Sequence, residues 1–197
     1  MRDDELIWER VASEVGPELP LFDVRLDLMR HPDGSYTHRC LVLECPDWVN
    51  VVARTVTGAI VMVEQFRYGA AAVGLEPPAG IIDEGEASLA AGKRELLEET
   101  GYGGGSWTYL GCVQPNPAFQ TNLCHHWLAD QVELMQPPAP DPGEAIRVRL
   151  MSSDDLRGAF AAGRLRHTLA ISALSRVLPL WDLPFPSGES GTPCRAR

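Results

Sequence analysis

Acidic side chains recur at fixed intervals in the segment GIIDEGEASLAAGKRELLEETGY, which spans residues 80–102. Residues 87–99 consist mostly of good helix formers and have a glycine close to each end, which predicts a helix over this range. At about 100° per residue, Glu95, Glu98 and Glu99 fall on one arc of that helix. The segment therefore predicts a helix with a concentrated negative face.

Three carboxylates on one helix face repel one another unless a positive charge neutralises them. Divalent cations with oxygen ligands do this, and Mg²⁺ typically joins protein carboxylates to substrate phosphates. The alternative is a solvated acidic face paired with Lys93 and Arg94, since Arg94 lies one helical turn before Glu98. For a glutamate-rich helix with no other signal, the solvated face would be the favoured interpretation.

The composition limits the class of protein and its partners. The chain has 197 residues, of which 45% are hydrophobic, so it can build a globular domain with a real core. A net charge of -10 and the lack of a basic stripe argue against nucleic-acid or anionic-membrane binding. Its five cysteines are scattered and predict neither a zinc site nor a disulfide framework. We see no secretory signal and no membrane-spanning run, and we expect a cytoplasmic protein.

Alternating apolar and polar residues predict strands at 22–30 and 37–45 around an Asp33-Gly34 turn, and at 48–56 and 59–66 around Thr57-Gly58. The strand at 59–66 is nearly all apolar, which is typical of a central strand. Further strands are predicted at 107–113, 123–131 and 145–151, and helices at 152–162 and 167–178. Residues 3–14 are predicted to form a short helix or an arm.

The glycines and charged residues of the acidic segment follow one spacing: Gly80, Glu86, Arg94, Glu95, Glu98, Glu99 and Gly101. This spacing resembles the Nudix box, Gly-x5-Glu-x7-Arg-Glu-U-x-Glu-Glu-x-Gly-U, in which U is a large apolar residue. Tyr102 stands at the last apolar position. A pattern with this many fixed positions is specific, and it favours the metal-binding interpretation over the solvated face.

The resemblance implies an α/β fold, the α/β/α Nudix sandwich with a mixed β-sheet, extended by an N-terminal antiparallel β-hairpin. It divides the chain into an N-terminal extension (1–46), a Nudix hydrolase domain (47–183) and a disordered tail (184–197). The subgroup of the family that acts on ADP-ribose commonly forms dimers through N-terminal strands. A homodimer is therefore expected here.

The residues before the box resemble the QxR…E-x-PAG run of ADP-ribose pyrophosphatases, with Gln65-Phe66-Arg67 followed by Glu76-Pro77-Pro78-Ala79-Gly80. From its position alone, Arg67 is either an exposed strand-end residue or an anion ligand, since its planar fork suits phosphate. The resemblance implies that Arg67 contacts a phosphate and that the Ala79 carbonyl is a metal ligand. Glu76 joins Arg67 among the candidate substrate-binding residues.

The resemblance also implies a metal site formed by Ala79, Glu95, Glu98 and Glu99, with Mg²⁺ as the cofactor and Mn²⁺ as the alternative. Arg94 is expected to orient the box glutamates, with Glu86 as its partner. Two residues remain candidates for the general base. One is Glu98, and the other is Glu144, which matches the position of a mobile catalytic glutamate in the subfamily but is equally well explained as a solvated loop residue.

Trp8 and Phe119 are candidates for stacking on the substrate base, although Trp8 is also explained as a packing anchor. The predicted activity is Mg²⁺-dependent hydrolysis of the pyrophosphate bond of a nucleoside diphosphate sugar, with ADP-ribose giving AMP and ribose 5-phosphate. Alternatives are a GDP-sugar, a dinucleoside polyphosphate or an oxidised nucleotide as substrate. A sensor that binds such a ligand without cleaving it is a further alternative.

Overall fold

The computed structural model describes residues 3–180, which form two units. The first comprises the chain up to Asp47 together with Val113–Cys124. The second comprises Trp48–Cys112 and the residues from His125 onward. The predicted tail at 184–197 lies outside the described residues, and so does Cys194.

The first unit is built on a three-stranded antiparallel sheet in the order β1-β2-β3. Its strands are β1 (Glu9–Glu18), β2 (Asp23–Arg30) and β3 (Thr37–Glu44). Strands β2 and β3 form the predicted hairpin around Asp33-Gly34, where Gly34 has a φ of 76°. The Asp33 Oδ1 atom accepts a hydrogen bond from the Ser35 N–H at 2.7 Å, which stabilises the turn.

The prediction of a helix or arm at residues 3–14 was largely wrong. A 3₁₀ turn covers only Asp3–Leu6, and the rest of the segment belongs to β1. Ion pairs hold this edge strand to the sheet: Arg30 contacts Glu9 at 2.8 Å, Arg39 contacts Glu14 at 2.8 Å, and Arg10 contacts Asp27 at 3.9 Å. Backbone pairing with β2 and these cross-strand charges decide the conformation, and neither is visible in the local sequence pattern.

An eight-stranded sheet dominates the second unit. Its strands are β4 (Trp48–Thr55), β5 (Ile60–Arg67), β6 (Ala72–Glu76), β7 (Ala79–Ile81), β8 (Tyr102–Gly103), β9 (Ser106–Val113), β10 (Cys124–Leu134) and β11 (Ile146–Met151). The main path runs β11-β5-β4-β10-β8, while β6 pairs with β5, β7 with β4 and β9 with β10. The apolar β5 lies between β11 and β4, so the predicted central strand is confirmed.

Three helices cover the two faces of this sheet: α1 (Ser88–Thr100), α2 (Ser153–Ala161) and α3 (Thr168–Ser175). Alternate residues of β4 point to opposite faces. Val51 packs in one core cluster with Leu96 of α1, whereas Val52 packs in another with Leu156 of α2 and Leu174 of α3. The predicted α/β/α sandwich is therefore confirmed, and so are the three predicted helices.

Two glycines set the position of α1. The helix ends at Gly101, which has a φ of 76° and leaves no room for a side chain beside the Gln136 carbonyl. Gly92 is buried against β4, where an added Cβ would lie 3.2 Å from Val51 Cγ2 and 3.3 Å from Val49 Cγ2. A glycine in mid-helix costs helix stability, but here it lets α1 lie close to the sheet.

Helix α2 begins with a capping box at Ser152 and Asp155, whose side chains each accept a hydrogen bond from the other residue's backbone N–H. Among the described residues, Cys40, Cys45, Cys112 and Cys124 form no disulfide bond. Between residues 3 and 180, no helix combines the length and the apolar character needed to cross a membrane.

His126 makes the stability of the fold sensitive to acid. It is fully buried on β10, with Nε2 3.2 Å from the Ser172 Oγ of α3. Burial and the positive charge of Arg176 lower the pKa of His126 from 6.5 to about 4. The unfolded chain therefore binds a proton at this residue that the folded chain excludes. This contribution to stability is complete above pH 6.5 and is lost as the pH falls towards 4.

We expect His126→Gln to flatten the dependence of the unfolding free energy on pH between 6.5 and 4, because each unit of pKa difference is worth about 1.4 kcal/mol. Urea denaturation at stepped pH values measures this. His38→Gln is the matched control, since His38 is exposed on β3. Equal pH slopes for wild type and His126→Gln would contradict the prediction.

Candidate active site

A cavity of about 630 Å³ opens in the second unit beside β4, β5, β7 and α1. Its charged lining is mostly acidic: Asp83, Glu95, Glu98, Asp141 and Glu144. Two arginines, Arg67 and Arg94, and one histidine, His167, also line it. Because carboxylates outnumber arginines, an anionic ligand needs additional positive charge to bind here.

Arg94 ties the loop before α1 to the acidic face of the helix. Its Nε and Nη2 atoms contact the Glu86 carboxylate at 3.2 and 2.9 Å, and Nη2 also donates to the Ile81 carbonyl at 3.0 Å. Its Nη1 atom contacts Glu95 at 2.8 Å and Glu98 at 3.3 Å, so the ion pair expected between Arg94 and Glu98 is present. The five donors of a guanidinium allow one residue to orient three carboxylates.

Gly80 leaves room for the Glu95 carboxylate. A Cβ at position 80 would lie 2.6 Å from Glu95 Oε2 and closer still to its Oε1 and Cδ atoms. The carboxylate of α1 thus lies directly against the backbone of β7. This contact is the physical reason for a glycine at this position, which the sequence spacing alone did not reveal.

Glu99 is buried with its charge only partly compensated. Its side chain is 2% exposed, and Oε2 accepts a hydrogen bond from the Ala79 N–H at 3.1 Å. Burial, together with the negative charges of Glu95 and Glu144, raises the pKa of Glu99 to about 8. Burial also raises the pKa of Glu95 despite its contact with Arg94. The site thus holds more carboxylate charge than its own cations neutralise.

These residues fit a hard divalent cation by their chemistry. Carboxylate and backbone oxygens are the ligands that Mg²⁺ prefers. A cation would offset the burial and the carboxylate repulsion that together raise the pKa values of Glu95 and Glu99. Across residues 3–180, however, no three His, Cys, Asp or Glu side chains are arranged as a ready-made metal cluster. Instead, Arg94 engages Glu95 and Glu98, and Glu99 is turned towards the Ala79 N–H.

A second group of charged residues meets at Glu76, which is 2% exposed. Arg67 donates to both carboxylate oxygens, from Nε at 3.0 Å and from Nη2 at 2.9 Å. His167 Nδ1 lies 2.7 Å from Oε2. Burial acts to raise the pKa of Glu76, but the hydrogen bonds from His167 and Arg67 outweigh it and lower the pKa to about 2. Glu76 is therefore a buried, ionised anchor.

Glu76 was grouped with the substrate-binding residues, but the structure places it outside the cavity lining and beneath Arg67 and His167, which do line it. His167 was not among the site residues predicted from the sequence. This residue directly precedes α3 and meets a partner 91 positions earlier in the chain. No local pattern marks such a contact.

The two candidates for the general base differ in their surroundings. Glu98 is half-exposed and contacts Arg94. Glu144 is exposed in the loop before β11, where its N–H donates to the Asp141 carbonyl at 2.8 Å. The charge of Glu144 contributes to the raised pKa values of the buried box glutamates, so its side chain lies within electrostatic reach of them.

The two stacking candidates both belong to the first unit. Trp8 packs edge-on against His31 and Tyr36, with ring centroids 5.0 and 5.5 Å apart. Phe119 is partly exposed, and its N–H donates to the Asn116 carbonyl at 3.2 Å. The cavity is formed by residues of the second unit.

Comparison with known proteins places this geometry in a family. The model of the NUDIX domain matches residues 46–170. An ADP-ribose pyrophosphatase from Bacillus subtilis is 30% identical over 156 residues, which are 79% of this chain and 81% of that protein. An ADP-ribose pyrophosphatase from Mycobacterium tuberculosis is 31% identical over 171 residues, covering 78% of this chain and 82% of that protein.

A solved structure supports the same fold. The crystal structure of an ADP compounds hydrolase superposes with a TM-score of 0.77 at 20% identity, covering 86% of this chain and 91% of the other. The match of the NUDIX domain spans more than half of the chain and includes every box residue described above. The chain therefore belongs to the Nudix family and is a hydrolase.

Proposed function

We propose that the protein hydrolyses the pyrophosphate bond of a nucleoside diphosphate sugar, with ADP-ribose as the first candidate and AMP and ribose 5-phosphate as products. The observation that carries this proposal is a single cavity lined by box carboxylates and by the Arg67 guanidinium, which Glu76 fixes in place. Two relatives of about 30% identity that are ADP-ribose pyrophosphatases support the choice of ADP-ribose.

We assign Glu95, Glu98, Glu99 and the Ala79 carbonyl as the residues that would hold Mg²⁺, with Mn²⁺ as an alternative. When bound, the cation supplies positive charge that polarises the phosphate oxygens. The assignment is supported by the buried carboxylates of Glu95 and Glu99, whose pKa values are raised by burial and by neighbouring carboxylates. It is also supported by Arg94, which fixes two of these side chains.

Arg67 binds a phosphate group in this proposal, because a guanidinium held by one edge on Glu76 can present its remaining donors to an anion. Water attacks one phosphorus atom, and the bond from that phosphorus to the bridging oxygen breaks, so the electron pair leaves with the second phosphate. Glu144 accepts the proton of the water. Glu98 is less suited to this role because its carboxylate is already engaged by Arg94 Nη1 at 3.3 Å.

Product analysis with a substrate panel tests the proposal. The panel consists of ADP-ribose, GDP-mannose, UDP-glucose, NADH, diadenosine polyphosphates and deoxynucleoside triphosphates, each with Mg²⁺ or Mn²⁺. We expect AMP and ribose 5-phosphate from ADP-ribose, and no turnover when EDTA removes the cation. Chromatography and ³¹P NMR identify the products and the bond that is cleaved.

Other outcomes of the panel would change the proposal in defined ways. Faster cleavage of another compound would support the proposed pyrophosphate hydrolysis but identify that compound as the preferred substrate instead of ADP-ribose. Binding without turnover of any compound would overturn the hydrolytic proposal for this panel and favour the sensor. Dimer formation through the N-terminal strands and a cytoplasmic location stay predictions.

A further inference from the structure

Glu76 holds two side chains of the cavity, and only one of them was expected. Strand β6 supplies Glu76, strand β5 supplies Arg67, and the residue before α3 supplies His167. Arg67 Nη2 and His167 Nδ1 both contact the same oxygen, Oε2, at 2.9 and 2.7 Å. The guanidinium and the imidazole therefore lie side by side at one wall of the cavity.

The contact with Glu76 fixes the hydrogen on one nitrogen of His167. An ionised carboxylate only accepts hydrogen bonds, so Nδ1 must be the donor and carry the hydrogen. The Nε2 atom makes no hydrogen bond to any residue in the range 3–180, and the side chain is 39% exposed. His167 thus resembles a histidine whose first nitrogen is oriented by a carboxylate so that the second is presented to a ligand.

Gly74 leaves room for one oxygen of the Glu76 carboxylate. A Cβ at Gly74 would lie 2.6 Å from Glu76 Oε1, the oxygen that Arg67 Nε contacts. No side chain competes there. Phosphate oxygens only accept hydrogen bonds, so His167 would contact one through Nε2 as an imidazolium, with a hydrogen on each ring nitrogen. The single negative charge of Glu76 is shared by Arg67 and His167, and the imidazolium beside the guanidinium would leave net positive charge for an incoming anion.

We propose that His167 is a second phosphate-binding residue, which contacts the diphosphate of the substrate through Nε2 beside Arg67, with Glu76 as the positioning residue for both. The inference rests on the proposed function of the cavity. It adds a residue outside the Nudix box and outside the run that precedes the box. The Arg67 guanidinium and the His167 imidazole would both bind the diphosphate, from the wall of the cavity where Glu76 contacts them.

Two substitutions separate a phosphate contact from a purely structural role. The amide nitrogen of asparagine can take the place of Nδ1, so His167→Asn keeps the donor to Glu76 and removes Nε2. Glutamine reaches the position of Nε2, so His167→Gln does the opposite. The probe is α,β-methylene-ADP, a nucleoside diphosphate with an uncleavable bridge, which is titrated by calorimetry in the presence of Mg²⁺.

We expect His167→Asn to raise the Kd of the probe about tenfold, as for loss of one hydrogen bond to a charged group, and His167→Gln to raise it less. His167→Gln, which loses the donor to Glu76, should lower the thermal unfolding midpoint more than His167→Asn does. His38→Asn, on the exposed face of β3, is the matched control. An unchanged Kd for His167→Asn would overturn the inference.

A double substitution tests whether His167 acts only by steadying Arg67. In an Arg67→Ala background, a direct contact predicts that His167→Asn still raises the Kd several-fold. If His167 acts only through Arg67, the second substitution adds nothing, and the assignment of a phosphate contact is overturned.

The inference and the proposed function fail separately. If the wild type cleaves ADP-ribose and His167→Asn binds the probe as tightly as the wild type, only the inference fails. If the wild type cleaves no member of the panel but binds the probe, and His167→Asn weakens that binding, the phosphate contact is supported and hydrolysis is not.

Discussion

Replacing Glu99 by glutamine is expected to lower kcat by at least about 100-fold while the protein stays folded, because even residues that only support a metal ligand cost 10- to 100-fold when removed. Glutamine has nearly the shape of glutamate, and its carbonyl oxygen can still accept the hydrogen bond from the Ala79 N–H. The substitution therefore removes the charge and keeps the packing. Steady-state kinetics with the preferred substrate measures the effect.

The same substitution is expected to increase the stability of the metal-free protein at high pH. The pKa of Glu99 is raised from 4.5 to about 8, so its contribution to stability is complete below pH 4.5 and is lost as the pH rises through 8. In EDTA at pH 8.5, we expect Glu99→Gln to unfold at a higher temperature than the wild type. Mg²⁺ should raise the midpoint of the wild type and leave that of the variant nearly unchanged. Glu84→Gln, in the exposed loop before α1, is the control for both measurements.

If the Glu99→Gln variant kept wild-type kcat, the assignment of Glu99 as a metal ligand would be contradicted. A variant that is less stable than the wild type at pH 8.5 without metal would contradict the burial of an uncompensated carboxylate.

Replacing Gly80 by alanine is expected to reduce kcat/KM by about 100-fold, since a displacement of about 1 Å at a catalytic group can cost that much. The new methyl group would occupy the space of the Glu95 carboxylate, which Arg94 holds at 2.8 Å. The displaced atoms are the end of a flexible side chain, so the fold should survive while the carboxylate moves. Circular dichroism and enzyme kinetics together distinguish displacement from unfolding.

Gly69→Ala is the matched control, because a Cβ at this exposed position would meet no atom within 4 Å. We expect its activity to equal that of the wild type. A Gly80→Ala enzyme that also keeps wild-type kcat/KM would show that the position of Glu95 does not limit the reaction.

Residues that act within one element could be predicted from the sequence. The spacing of Glu95, Glu98 and Glu99 on α1 follows from helix geometry, and the capping box at Ser152 is a local signal. The central position of β5 follows from its apolar run. In each case the pattern and the structure it specifies lie within a few residues of each other.

Features that depend on distant segments could not be predicted in this way. Strand β1 exists because β2 pairs with it, although its own sequence is polar and weakly patterned. Glu76 reads as a binding residue in the sequence, and only tertiary packing shows that it supports Arg67 and His167. The need for glycine at Gly80 becomes visible only when the helix and the strand are placed side by side.

The shared carboxylate of Glu76 also constrains how this protein can evolve. Two consecutive strands and the distant residue before α3 meet at one buried charge, so a change at position 76 leaves a guanidinium and an imidazole without their shared partner. Homologues that keep glutamate at this position should keep a hydrogen-bond donor at the position of His167, even when it is not histidine. Those that lose the acid should replace both partners, so that positions 67, 76 and 167 are inherited as one unit.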